Sequence, residues 1–417
     1  MSRTEAGQPP APSSFDRGAV AFEWAFRERA FVSMFAFACA SAFASGAAAA
    51  QTSDGRASPD ALRPSPSAPA SAVAPQGGAL VVYGSTSDRF ARYLVDDFRT
   101  LHPDIQVTYV ALPPAEVDAR MRRNARTADA PDVVWSAAID LQMKAALEGY
   151  ALAYESPEAR TLPRWANWKN SLYATTYEPL LIAYNKRYVQ PGDVPATHGQ
   201  LADMLVRGRE TYRGKVSTYA LDNPEFGSIG FQFDAATDTN FWKLARALEA
   251  VDVASLRTSA EVLDRVSAGT TLIAYNVAGS EALRRARRDP LVGVQFTQDY
   301  NLVLTRPMFI MKSAPHPHEA KAWLDFVLSA RGQKQMQIAD MMPLREVPGD
   351  DPAIRMLRLM PRIARPVALD ARLAQVVSTS HVRQFEKRWA STFDGNPPAS
   401  APAQRSSLSS RDSSNRP

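Results

Sequence analysis

The stretch Ala79-Leu80-Val81-Val82-Tyr83-Gly84-Ser85-Thr86-Ser87-Asp88 decides the fold. An apolar run of strand length closes on a glycine, and small hydroxyl residues and an acid follow where a helix N-cap belongs. Phe90, Tyr93, Leu94, Phe98 and Leu101 then recur at helical spacing, so a buried strand feeds directly into an amphipathic helix. Ile105-Gln106-Val107-Thr108-Tyr109-Val110 reads as a second strand. A basic helix passes through Arg120, Arg122 and Arg123, and Asp132-Val133-Val134-Trp135-Ser136 is a third strand ending on a small hydroxyl. This β-α-β-α-β opening predicts parallel strands with helices on both faces. In such sheets ligands sit at the carboxyl ends of the strands, beside helix N-termini.

The alternation continues downstream. Pro179-Leu180-Leu181-Ile182-Ala183-Tyr184-Asn185-Lys186 is a strand that stops in a polar turn. Val216–Ala220 is another, followed by the turn Asp222-Asn223-Pro224 and a helix opening at Phe226-Gly227-Ser228. Thr271–Asn276 is a strand, Val277-Ala278-Gly279-Ser280-Glu281 opens a helix, Leu302–Ile310 is extended, and Pro317–Leu328 is an amphipathic helix. No internal repeat is present.

The flanks differ in character. Residues 30–50 carry no charge, follow Arg27 and Arg29, and end in small-x-small sites such as Ala48-Ala49-Ala50, the pattern of a secretory signal. Cys39, the one cysteine, follows Ala36-Phe37-Ala38, in which Phe37 is too bulky for a good lipoprotein box. Residues 51–78 are rich in Pro, Ala and Ser and read as a flexible linker; residues 393–417 read as a disordered tail. The chain of 417 residues is 45% hydrophobic with a formal net charge of +5, and residues 1–50 hold equal numbers of acids and bases, so their removal leaves that charge unchanged. A single cysteine excludes an intramolecular disulfide framework and a Cys-based zinc site. No basic stripe of the kind that marks nucleic-acid binders stands out.

Four segments carry a resemblance: Leu80-Val81-Val82-Tyr83-Gly84-Ser85, Ala130-Pro131-Asp132-Val133-Val134, Leu181-Ile182-Ala183-Tyr184-Asn185-Lys186, and the turn and helix Ala314-Pro315-His316-Pro317-His318-Glu319-Ala320-Lys321-Ala322-Trp323-Leu324-Asp325-Phe326. In order and spacing they resemble type II periplasmic solute-binding proteins of ABC importers, in the branch that holds ferric-iron, phosphonate and sugar-phosphate binders. The resemblance implies an α/β fold of two hinged lobes, each with a mixed, mainly parallel sheet flanked by helices. It places lobe 1 at 79–180 with 303–392 and lobe 2 at 181–302. It also implies export to the periplasm, no enzymatic role, no cofactor, and a monomer that hands its solute to an inner-membrane ABC permease or a periplasmic sensor domain.

Candidate binding residues are hydroxyls where strands meet helices, because backbone N–H groups there favour an anion. They are Ser85, Thr86, Ser87 and Ser136, with Ser228 and Ser280 at later helix starts; each can instead serve only as a cap. Thr175, Thr176 and Glu178 precede the strand that crosses between lobes, and Glu178 suits a ligand hydroxyl, an amine or a hinge ion pair. Tyr275, Asn276, Asp299 and Tyr300 are second-lobe candidates. Arg306, a charge in an apolar strand, is either a clamp for phosphate or carboxylate or a partner of Asp299 or Glu178. Arg284, Arg285, Arg287 and Arg288 read as a solvated helix face. The expected solute is a small organic anion such as a phosphonate, a phosphoglycerate-like compound or a sugar phosphate. Two other readings stay open: a ferric-ion binder using Tyr275, Tyr300 or Glu178, and a secreted hydrolase or transferase on the same scaffold. Paired adjacent tyrosines are absent after Ala274, and G-x-G-x-x-G, G-x-S-x-G and H-E-x-x-H do not occur.

Overall fold

The structure is a computed structural model that describes residues 78–223 and 225–393. The expected export signal with Cys39, residues 51–77 of the linker and the tail beyond Phe393 lie outside the described residues. The strands are β1 (Ala79–Gly84), β2 (Gln106–Ala111), β3 (Val133–Trp135), β4 (Asn167–Trp168), β5 (Leu172–Ala174), β6 (Glu178–Asn185) and β7 (Val216–Tyr219). There follow β8 (Ala254–Leu256), β9 (Ile273–Ala278), β10 (Val292–Gln295), β11 (Asn301–Leu304), β12 (Pro307–Ile310) and β13 (Ala364–Pro366).

They form two sheets. One has the order β2-β1-β3-β12-β5-β4; the other runs β13-β11-β6-β9-β7-β8, with β10 added against β6. The opening β-α-β-α-β unit pairs in parallel, β1 between β2 and β3. The sheets are mixed, but not mainly parallel as expected. Every antiparallel pair involves β5, β6 or β12, strands next to the first two of the three points where the chain passes between sheets.

The first core forms because β1 buries Leu80 and Val82 while the helix Asp88–Leu101 turns Ala91, Leu94, Val95 and Phe98 inward at spacings of three and four. Phe98 meets Trp323 and Phe326 edge-on, with ring centroids 5.1 and 5.4 Å apart, which seats the helix Pro317–Leu328 on the same face. Gly84 ends β1 for lack of space: a Cβ there would lie 2.0 Å from the Tyr109 Oη, and that hydroxyl donates to the Thr86 carbonyl at 2.7 Å. The turn Ser85–Ser87 is thereby held against β2.

In the second lobe β7 runs parallel to β8 and β9, each of which feeds a helix. Thr258 and Glu261 form a reciprocal capping box at the start of the helix Ser259–Ala268. The helix Gly279–Arg288 follows β9 without a break.

The chain passes between sheets through Thr175–Tyr177, returns through Thr305–Arg306, and passes over once more between β12 and β13. The expected lobe boundaries therefore shift. Val303 pairs in the second sheet with Pro179 and Pro366, so both β11 and β13 belong there and not to lobe 1. The helix Thr379–Thr392 also joins the second lobe, with Phe385 and Trp389 buried among Phe231, Phe241 and Trp242. Phe393, expected as the first tail residue, is buried against Trp389. The expected extended run Leu302–Ile310 is two strands broken at the return crossing.

Candidate functional site

A cavity of about 420 Å³ lies between the two sheets and is walled by both lobes. That is within the usual range of small-molecule sites. The first lobe supplies Ser85, Thr86, Ser87 and Phe90 from the turn after β1 and the helix behind it. The second supplies Glu225, then Thr258–Ala260 and Ser280–Glu281 at the starts of two helices, with Arg257 and Arg284 beside them. Glu178 and Arg306, next to the two crossings, line the floor.

Arg306 holds the centre of the charge. Its Nε donates to Glu178 Oε1 at 3.4 Å, and its Nη atoms have no acceptor among the described residues. Burial works against its positive charge, but Glu178, Glu225 and Glu281 outweigh that cost and raise its pKa above the ordinary arginine value. Glu178 is 1% exposed, and its Oε2 is buried with no partner among the described residues. Burial pushes the Glu225 carboxyl up, against the pull of Arg306 and with the help of Glu281 and Glu178. Asn223 sets the Glu225 turn, its Oδ1 accepting the amides of Glu225 and Phe226 at 2.9 Å each.

Around this floor the other charges are taken. Arg257 pairs with Asp222 and Arg284 with Glu281. The Arg284 guanidinium also lies 4.9 Å from the centre of the Phe90 ring, a contact from the second lobe to the first across the cavity mouth.

Of the residues singled out in the sequence, Ser85, Thr86, Ser87, Glu178, Ser280 and Arg306 line the cavity. The Ser85 hydroxyl accepts the Ala137 amide at 2.8 Å, tying the turn to the loop after β3. Ser87 is the exposed N-cap of the helix Asp88–Leu101, but its side chain makes no capping bond, which leaves the hydroxyl free toward the cavity.

The remaining candidates are engaged elsewhere. Ser136 is buried, its Oγ accepting the Ala138 amide at 3.2 Å. Ser228 Oγ accepts from Gln232 Nε2 at 2.7 Å. Thr175 and Thr176, both fully buried, lace the two crossings together. The Thr175 hydroxyl donates to the Arg306 carbonyl at 2.6 Å, and Thr176 Oγ1 accepts the Arg306 amide at 2.9 Å. Thr305 Oγ1 accepts both threonine amides at 3.2 Å. Hydroxyls at a crossing are needed there because two irregular backbones meet in a dry place and each N–H requires an acceptor.

Tyr275 and Asn276 turn into the second lobe, donating to Asp234 Oδ2 at 2.7 and 2.5 Å, and Tyr300 donates to Asp234 Oδ1 at 3.0 Å. The phenols that a ferric site would use are thus bound to a buried carboxylate away from the cavity. Asp299 faces His198 Nδ1 at 3.0 Å and is not the partner of Arg306.

Glu225, Thr258, Ser259, Glu281 and Arg284 line the cavity without having been singled out as binding residues. The Thr258-x-x-Glu261 box and the Gly279-Ser280-Glu281 helix start were readable signals for some of them. Nothing local marks Glu225.

Solved structures repeat this architecture. The substrate-binding protein of an ABC transporter from Agrobacterium tumefaciens is 28% identical, with a TM-score of 0.69 over 76% of this chain and 94% of that one. Iron-bound HitA from Pseudomonas aeruginosa is 15% identical, with a TM-score of 0.60 over 76% of this chain and 99% of that one. AfuA from Actinobacillus pleuropneumoniae, a periplasmic binding protein with fructose-6-phosphate bound, is 14% identical, with a TM-score of 0.61 over 76% and 98%. At that identity the last two speak for the fold alone. A search of the curated proteins finds no match. Residues 83–334, more than half the chain and most of the described body, match the family model for the bacterial extracellular solute-binding protein, and the chain belongs to that family.

Proposed function

We propose that the chain is an exported receptor that captures a small organic solute bearing an anionic group, for delivery to an inner-membrane ABC permease or a periplasmic sensor domain. It works as a monomer in the periplasm, and the two lobes close over the solute about the crossings at Thr175–Tyr177 and Thr305–Arg306. The observation that carries this reading is Arg306. A buried guanidinium with both terminal nitrogens unpartnered among the described residues, on the floor of a two-lobed cavity, suits bidentate capture of a phosphate, phosphonate or carboxylate. Ser85–Ser87 and the N-terminus of the helix Asp88–Leu101 add hydroxyl and backbone donors on the facing wall.

Thermal-shift screening followed by calorimetry tests it, with phosphorylated metabolites, phosphonates, dicarboxylates and ferric salts. The expected outcome is stabilisation by a phosphorylated or phosphonate solute. Arg306→Gln weakens that solute by roughly 10- to 100-fold, the value of one or two charge-assisted hydrogen bonds. Stabilisation by ferric salts alone, or undiminished binding by the variant, overturns the proposal.

A further inference from the structure

The anion site stands in a cavity with more negative than positive charge. Glu178, Glu225 and Glu281 all act on the single guanidinium of Arg306, while Arg284 is drawn to Glu281 and Arg257 to Asp222 outside the floor. Asp340, also in the wall, is held by Arg287 and Arg288. Glu281 is matched by Arg284, so a solute carrying only negative charge would bring a third charge of the same sign to the one guanidinium that Glu178 and Glu225 already share. A buried carboxylate oxygen, Glu178 Oε2, meanwhile has no donor among the described residues. Its sister atom has only the 3.4 Å contact with Arg306. Buried acceptors are rarely left in that state, and a buried charge without a full set of partners is costly.

Both features are resolved by the same ligand. Resting on the anion reading above, we infer that the solute is amphoteric, carrying a protonated amine seated on Glu178 Oε2 beside Glu225, in addition to the anionic group held by Arg306 and the Ser85–Ser87 turn. A neutral hydroxyl would satisfy one lone pair of Glu178 but would leave the excess negative charge in place. An ammonium group satisfies the lone pair and compensates the charge in a region where opposite charges attract strongly. Burial raises the Glu225 carboxyl against the pull of Arg306, and the neighbouring Glu281 and Glu178 add to that rise. Hydrogen-bonded cationic groups also give the cavity a means to reject the isosteric solute that lacks them.

Calorimetry with two matched pairs tests this: 2-aminoethylphosphonate against ethylphosphonate, and glucosamine 6-phosphate against glucose 6-phosphate. In the wild-type protein the aminated member of the pair that binds is expected to bind at least about tenfold more tightly, the scale of one discriminating polar contact. Glu178→Gln is expected to reduce that preference below about threefold, while the amine-free member binds as well as before or better. Glu225→Gln, at the half-buried wall, reads out the same loss of preference if Glu178→Gln does not fold. Equal or tighter binding of the amine-free members by the wild type overturns the amphoteric reading and leaves the anion reading standing. Binding of an amine-free anion from the wider screen while all four probes fail overturns the amphoteric reading alone; failure of every anion in that screen overturns both.

Discussion

Asp234 is the most consequential buried acid outside the cavity. It is fully buried and accepts from the Tyr275 and Tyr300 hydroxyls and the Asn276 amide. Burial raises its pKa, and His198 with the three donors pulls it back only in part. The sign follows from linkage. A carboxyl whose folded pKa lies above its unfolded value of about 3.9 favours the fold fully below that value. The contribution is lost as pH rises through the folded pKa. Asp234 therefore weighs on stability at neutral pH. Asp234→Asn should remove that dependence, so the variant's melting temperature relative to wild type should be highest near neutral pH and fall as the solution is acidified toward the unfolded value. Asp299, shifted the other way by His198, is common to both proteins and drops out of the difference. Parallel curves for the two proteins would show that Asp234 does not titrate with folding. The same network keeps Tyr275 out of the cavity, although a tyrosine in an apolar strand that feeds a helix has the look of a site residue. Its direction is set by an acid 41 positions earlier in the chain, which no local pattern reveals.

At the scale of elements, the helix Thr379–Thr392 shows what the sequence conveys and what it does not. Phe385 and Trp389, four residues apart, announce an amphipathic helix with one apolar face. Which core receives that face depends on Phe231, Phe241 and Trp242, from helices more than a hundred residues upstream. The Trp389 ring lies 4.6 Å from Phe231, and Arg388 covers Trp242 at 4.1 Å. Trp389→Ala should cost on the order of 3–5 kcal/mol, as for other large aromatic truncations in a core. Denaturant unfolding followed through the second lobe's fluorescence measures it, and a loss under about 1 kcal/mol would mean the helix is not part of that core. The first lobe was legible for the opposite reason. β1, the helix Asp88–Leu101, β2 and β3 are neighbours in sequence and in space, so strand, cap and period fixed their order and put Ser85–Ser87 at the cavity. The second lobe's share of the site, Glu225 and the starts of two later helices, converges only through the sheet, and Thr175 and Thr176 serve the backbones of the crossings and not the cavity.

At the scale of the molecule, two ion pairs tie the lobes together outside the cavity floor. Arg287 and Arg288, on the last turn of the helix Gly279–Arg288, donate to the two oxygens of Asp340 at 3.1 and 3.0 Å. Asp340 follows the helix Ala330–Ile338, which packs on the first lobe through Met336. With Arg284 lying over Phe90, these pairs are available only when the lobes are together, so they favour the closed state before any solute arrives. Their strength is limited. The arginine side chains are 50% and 55% exposed, and exposed pairs are worth about 0.2–1 kcal/mol each. The double variant Arg287→Ala with Arg288→Ala also releases Asp340 in the cavity wall, so the radius of the solute-free protein, read together with the salt dependence, reports on closure. Solute binding should weaken about twofold to tenfold at low salt, and the solute-free protein should show a larger radius of gyration by solution scattering. Both differences should shrink at high ionic strength, where screening has already weakened the wild-type pairs. An unchanged radius together with a salt-independent loss of affinity would instead place the two arginines outside the closing motion.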